Sequence, residues 1–166
     1  MTGRTLRFAV LGLPAPQGSH RYVGNGVMVE SSKKVKPWRA DVRAAAVAHM
    51  LGQPWTGPLA VTVEFRLPRP RGDFGTGRNA GVLKPSAPIW HVKRPDADKL
   101  VRAVGDALTG LVWADDSQIV AWHTYKRYAT AAEPVGATIC VQELDLHPDD
   151  RLDAEIAAGA IGVARC

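Results

Sequence analysis

Between Asp96 and Asp116 the chain sets out residues suited to a hard divalent cation: Asp96, Asp98, Asp115 and Asp116 offer carboxylate oxygens, with Arg102 set among them. Mg²⁺ takes oxygen ligands at about 2.0 to 2.1 Å and is usually held by one or two carboxylates, with waters and a substrate phosphate completing its octahedron. Two plainer roles compete on spacing alone. Asp-x-Asp at a helix start is commonly a solvated cap, and Asp-Asp ahead of a strand is commonly a turn. The metal reading requires the chain to fold back after Gly110, so that the two pairs meet near one helix end.

The elements that must position these groups can be read around them. Pro95 is expected in the first turn of a helix, where its missing amide has no partner to lose, followed by Asp96 and Asp98 where free amides favour negative charge. Leu100, Val104, Ala107, Leu108 and Leu111 recur at spacings of three and four and give the helix one apolar side. Asp98, Arg102 and Asp106 fall at i, i+4 and i+8 on a second, polar side. Gly110 supplies the stop, and Asp115-Asp116 form a short turn before a β-type run.

The segment Arg94-Pro-Asp-Ala-Asp-Lys-Leu-Val-Arg-Ala-Val-Gly-Asp-Ala-Leu-Thr-Gly, followed by Val112-Trp-Ala-Asp-Asp-Ser-Gln-Ile-Val, resembles the signature of the RusA-type Holliday junction resolvases, the crossover junction endodeoxyribonucleases. The resemblance implies that Asp96, Asp98 and Asp116 are metal-binding and catalytic acids, with Asp115 a further ligand or a group that orients one. The implied cofactor is Mg²⁺, with Mn²⁺ as an alternative. Where the family often carries Asn, this chain has Lys99, and the family's functional Lys falls on Arg102. Arginine keeps the charge but is a planar fork that does not give up a proton near neutral pH, so an electrostatic role is retained. The implied activity is that of a homodimer hydrolysing paired phosphodiesters in four-way DNA junctions during recombination and repair. A two-fold dimer suits it, because it sets one site at each of two matched phosphates. The rivals are a non-catalytic junction or duplex DNA-binding protein and a nuclease for flaps or plain duplex.

At 166 residues the chain is read as one nuclease domain over residues 1–146, with a helical tail at 147–166. No apolar run approaches the roughly 18 residues of a membrane span, and the first residues do not lead into a signal peptide, so a cytoplasmic protein is expected. With Cys140 in a predicted strand and Cys166 at the end, a structural disulfide is not expected in a reducing compartment. Charge is unevenly distributed. Residues 1–102 hold 17 Lys and Arg against 6 Asp and Glu, a net of +11, whereas residues 103–166 hold 4 against 10, a net of −6. Such a basic front favours a polyanion and argues for salt-sensitive binding.

The rest of the chain supplies the frame. Leu6–Leu13 reads as a buried strand, and Gly24-Asn25-Gly26 marks a hairpin after the turn-rich loop at Gln17–Arg21. A helix over Lys36–Met50 turns Trp38, Val42, Ala45, Ala46, His49 and Met50 inward, and Lys36, Arg39 and Arg43 form a basic stripe, against DNA or simply in water. Pro58–Pro68 alternates as a strand. Residues 69–93 then form a long basic loop without period, read as a mobile arm over the site. Its Arg69, Arg71, Arg78, Lys84 and Lys93, with Arg94 and Lys99 beyond, are candidate DNA contacts, and Phe74, Ile89 and Trp90 offer apolar or stacking contacts. Gln118–Tyr128 and Pro134–Leu144 are expected as an antiparallel hairpin, with His123 a candidate acid or base near the site. Together these predict an α+β fold, a small mixed sheet covered on one face by two main helices.

Overall fold

Strand β4 (Leu59–Leu67) is the member of the sheet with most of its length buried, and the other elements assemble around it. Its alternating Leu59, Val61, Val63, Phe65 and Leu67 all face the core, as a period of two requires when one face is covered. The structure, a computed structural model, describes residues 3–18, 20–22, 28–30 and 33–144. The expected tail helix and the Gly24–Gly26 turn lie outside the described residues. A short antiparallel pair, β2 (His20–Tyr22) with β3 (Met28–Glu30), stands where the hairpin is expected.

The main sheet is mixed. β1 (Thr5–Leu11), β6 (Gly136–Glu143), β4 and β5 (Ile119–Tyr128) lie in the order β1-β6-β4-β5. β6 runs antiparallel to both β1 and β4, and β4 and β5 are parallel. Helices α1 (Val35–Val47) and α2 (Ala97–Leu108) pack on one face. They bury Trp38, Val42 and Ala46 of the first, and Leu100, Ala103, Val104, Ala107 and Leu108 of the second. This is the expected α+β arrangement. No helix among the described residues is long and apolar enough to cross a membrane.

Several local expectations are corrected. β5 and β6 are not a hairpin, because β4 lies between them. The link at residues 129–135 has only to step over one strand, about 10 Å at normal strand spacing. A short connection therefore does not prove adjacency, and the strand richest in core residues takes the inner place. Pro95 lies one residue ahead of the α2 N-cap, Asp96, and not in the first turn. His49 is exposed at the end of α1, its ring stacked 5.9 Å from Phe8 with a nitrogen 2.9 Å from the Ala45 carbonyl oxygen.

The long loop is also more ordered than a structureless arm. Tight 3₁₀ turns form at Arg71–Asp73 and Gly77–Asn79. Its far end lies along the outer edge of β5, where the Tyr128 N–H donates to Ile89 and the His91 N–H donates to Lys126, each at 3.0 Å. Arg69 closes the neck. Its guanidinium donates to Asp73 at 3.0 Å and to the Pro88 carbonyl at 2.8 Å, and lies 4.7 Å over the Tyr128 ring.

Candidate active site

The polar side of α2 and the turn before β5 face each other across a small cavity. A fold-back supplies the geometry: α2 ends at Leu108, Gly110 adopts a φ of +74°, and the chain returns through Trp113 to a 3₁₀ turn at Asp116–Gln118. Asp98, Arg102 and Asp106 descend one stripe of the helix, as the i, i+4, i+8 spacing requires. With Asp116, Gly105 and Trp122 they line a cavity of about 230 Å³. Gly105 lies on its wall, where a Cβ would be in ordinary van der Waals contact. A Cβ there would stand 3.9 Å from both Asp116 carboxylate oxygens and 3.8 Å from the Trp122 ring.

Asp116 is held from behind. Its Oδ1 accepts from Trp113 Nε1 at 2.8 Å and from the Thr109 hydroxyl. Trp113 is itself fully buried against the core, so packing fixes the donor that fixes the acid. Neither Trp113 nor Thr109 was marked by sequence spacing. Tryptophan before an acidic turn reads as core, and only the return of the chain shows its N–H aimed at a carboxylate.

The neighbouring acids are engaged differently. Asp115 Oδ1 accepts from the Ser117 N–H at 2.8 Å, while Gln118 Oε1 accepts from the Asp115 N–H at 2.9 Å, a reciprocal cap that closes the turn. Bonding to Ser117 holds the Asp115 carboxyl below its ordinary range. Asp96 is the N-cap residue of α2 but makes no side-chain capping bond. It pairs with Lys99 at 3.2 Å and lines a second, larger cavity on the other side of the helix start. Asp106 accepts from the Gln17 side-chain amide and lies 3.7 Å from Arg39 Nη1. Among the described residues no three His, Cys, Asp or Glu side chains form a group that could by themselves hold a metal ion. The structure thus brings Asp98 and Asp116 to one cavity, with Asp106 beside them, and gives Asp96 and Asp115 other partners.

Arg102 reaches the loop at 13–18. Gly18 has a φ of +112°, which calls for glycine, and a Cβ there would stand 2.8 Å from Arg102 Nη1, so the guanidinium lies against this loop. The loop is tied down by the Gln17 N–H, which donates to the Lys99 carbonyl at 2.9 Å. Gln17 is a site residue without a local signal, since its partner Asp106 lies 89 positions away. Asp106 did carry a signal, the same spacing that selected Asp98.

The candidate DNA contacts divide in the same way. Arg71, Arg78, Lys93, Arg94 and Lys36 are exposed. Arg69 is only 8% exposed at its side chain and is occupied at the loop neck. Lys84 donates to the Gly72 carbonyl at 2.7 Å. Arg39 and Arg43 donate to the Asp106 and Ala107 carbonyls at 3.2 and 3.3 Å, which bolts α1 to the end of α2. His123 does not reach the cavity. It alternates with Trp122, which lines that cavity on the helix face, so the histidine lies on the opposite face of β5, in register with Thr62.

Comparison with known proteins agrees with this layout. The family model for endodeoxyribonuclease RusA matches residues 12–139, a span that includes the loop at 13–18, both helices and the acidic turn. The chain belongs to the RusA endodeoxyribonuclease family. It is also 30% identical over 131 residues to the uncharacterized protein YqaN of Bacillus subtilis (strain 168), an alignment that covers 75% of this chain and 88% of that protein.

Proposed function

We propose that the protein is a metal-dependent, structure-specific endonuclease that resolves four-way DNA junctions as a homodimer, hydrolysing one phosphodiester in each of two matched strands. The observation that carries this reading is the shared cavity of Asp98 and Asp116, on a chain of the RusA family. Two carboxylates are what Mg²⁺ ordinarily takes from a protein, and a cavity of about 230 Å³ leaves room for water and a phosphate oxygen. Asp98 and Asp116 would hold the ion. When bound, it supplies a Lewis acid for the scissile phosphate and a more acidic water as nucleophile.

The chain's own side chains then divide the work. Trp113 and Thr109 orient Asp116, and Asp115 shapes the turn that carries it. Arg102, on the cavity wall, neutralises charge that builds on the phosphate. Asp96 joins the site once DNA is present. Its pair with Lys99 is solvent-exposed, and such pairs are worth about 0 to 1 kcal/mol, so a backbone phosphate can take Lys99 and release the carboxylate. The exposed Arg71, Arg78, Lys93 and Arg94 face the duplex arms.

Product mapping on matched four-way, flap and linear duplex DNA, with Mg²⁺ against EDTA, tests the proposal. Paired nicks in the junction alone, dependent on metal, are expected. Junction binding without any metal-dependent product would instead identify a non-catalytic binder, and equal cutting of all three substrates would identify a general nuclease.

A further inference from the structure

The larger cavity, about 520 Å³, has a chemistry that differs from the acidic one. It lies between the loop at 13–16, the end of β4 and the start of α2, so the first turn of that helix separates the two. Leu13, Pro16 and Pro68 give it flat, apolar walls, while Arg94 and Lys99 stand as cations and His91 presents a ring. Burial, and then the nearby Lys126 ammonium, hold His91 below its ordinary pKa, which favours the neutral ring. Lys126 also fixes the chain between the two cavities. Its ammonium donates to the Lys93 and Pro95 carbonyls, both at 2.6 Å.

We infer that this cavity receives an unstacked nucleobase from the nucleotide next to the scissile phosphate, and that its walls set which base is favoured there. The inference rests on the nuclease reading for the position of that phosphate. Its volume is that of a small-molecule site. Apolar walls accept the faces of a base taken out of its stack, cations accept the flanking phosphate, and a neutral imidazole can either donate to or accept from a base edge. Asp96 lines this cavity only two residues before Asp98 lines the other, so a single nucleotide step joins them.

The test uses synthetic four-way junctions carrying 2-aminopurine at each position flanking the exchange point, with the full-length protein in EDTA. The cavity lining holds no Phe, Tyr or Trp to quench a seated base, so one position should brighten severalfold on binding. Leu13→Arg and Pro68→Arg, on separate walls, add bulk without weakening attraction to DNA, and both should bind the junction yet lose the brightening. With Mg²⁺, changing the base at that position should alter cleavage by the wild type roughly tenfold, and the variants should be indifferent to it. Brightening without cleavage sinks the nuclease reading and leaves the cavity assigned. No bright position, or brightening retained in both variants, overturns the inference even if the junction is cut.

Discussion

The helix start and the turn before β5 each present two aspartates, and each pair is split. At the helix start Asp98 lines the small cavity, and Asp96 pairs with Lys99 around the corner. At the turn Asp116 lines that cavity, and Asp115 closes the backbone. In both pairs the first aspartate is an N-cap residue with extended backbone and the second stands in the turn it opens; Asp115 makes the capping bond, whereas Asp96 makes none and pairs with Lys99. A cluster of four acids in sequence is therefore two carboxylates on one cavity and two with other partners in space.

The sharpest way to break this contrast is to neutralise one member at a time. Asp98→Asn and Asp116→Asn should each abolish cleavage to background while junction binding in a gel shift persists. Both should also lose the rise in melting temperature that Mg²⁺ gives the wild type without DNA. Asp96→Asn should abolish cleavage too but keep that rise, because in the proposed mechanism Asp96 joins the site only with substrate. A thermal shift lost in Asp96→Asn would erase the distinction.

Next in size, Trp113→Ala should cost about 3 to 5 kcal/mol of stability in denaturant melts, as for other buried tryptophans. Trp113→Phe keeps most of the core but removes the bond to Asp116, and should lower cleavage by about 10- to 100-fold, the range for a group that orients a metal ligand. Because only the folded chain brings Asp98 and Asp116 to one cavity, Mg²⁺ at a hundredfold excess over its Kd should add about 2.7 kcal/mol. Asp115→Asn keeps the capping oxygen and should cut nearly as well as wild type, whereas Asp115→Ala should melt earlier and cut more slowly.

The smallest effects are in pH. His91 binds its proton more weakly when folded than the ordinary histidine value of about 6.5. The unfolded chain therefore takes up more protons below that value, and stability should fall as pH drops through it. Asp115, Glu133 and Glu143 are shifted downward by bonds to Ser117, Arg127 and Arg4, respectively. Their contributions are complete above the ordinary carboxylate range and are lost as pH falls through their folded values. Melting temperature against pH should show two steps, the upper one absent in His91→Ala.

The apolar stripe of α2, the alternation of β4 and the dense Asp96-to-Val120 pattern were legible in the sequence because each has a local period or motif. What was not legible depends on contacts distant in the chain. The place of β4 between β5 and β6, the reach of Gln17 to Asp106 and the use of Arg39 and Arg43 as bolts all follow from packing. Charge was also a poor guide to availability. Arg69 and Arg71 read alike in the loop, yet one is buried at its neck and the other faces water.

That neck has a consequence for how such a scaffold can diversify. Because Arg69 grips Pro88 and residues 89–91 lie along β5, the stretch from 70 to 87 hangs as a detachable pendant. Replacing residues 75–82, which include Arg78 but spare Asp73, with a short glycine-serine bridge should leave the melting temperature and metal-dependent cutting intact while weakening the grip on branched arms. New substrate shapes can thus be tried in that pendant without disturbing the acids.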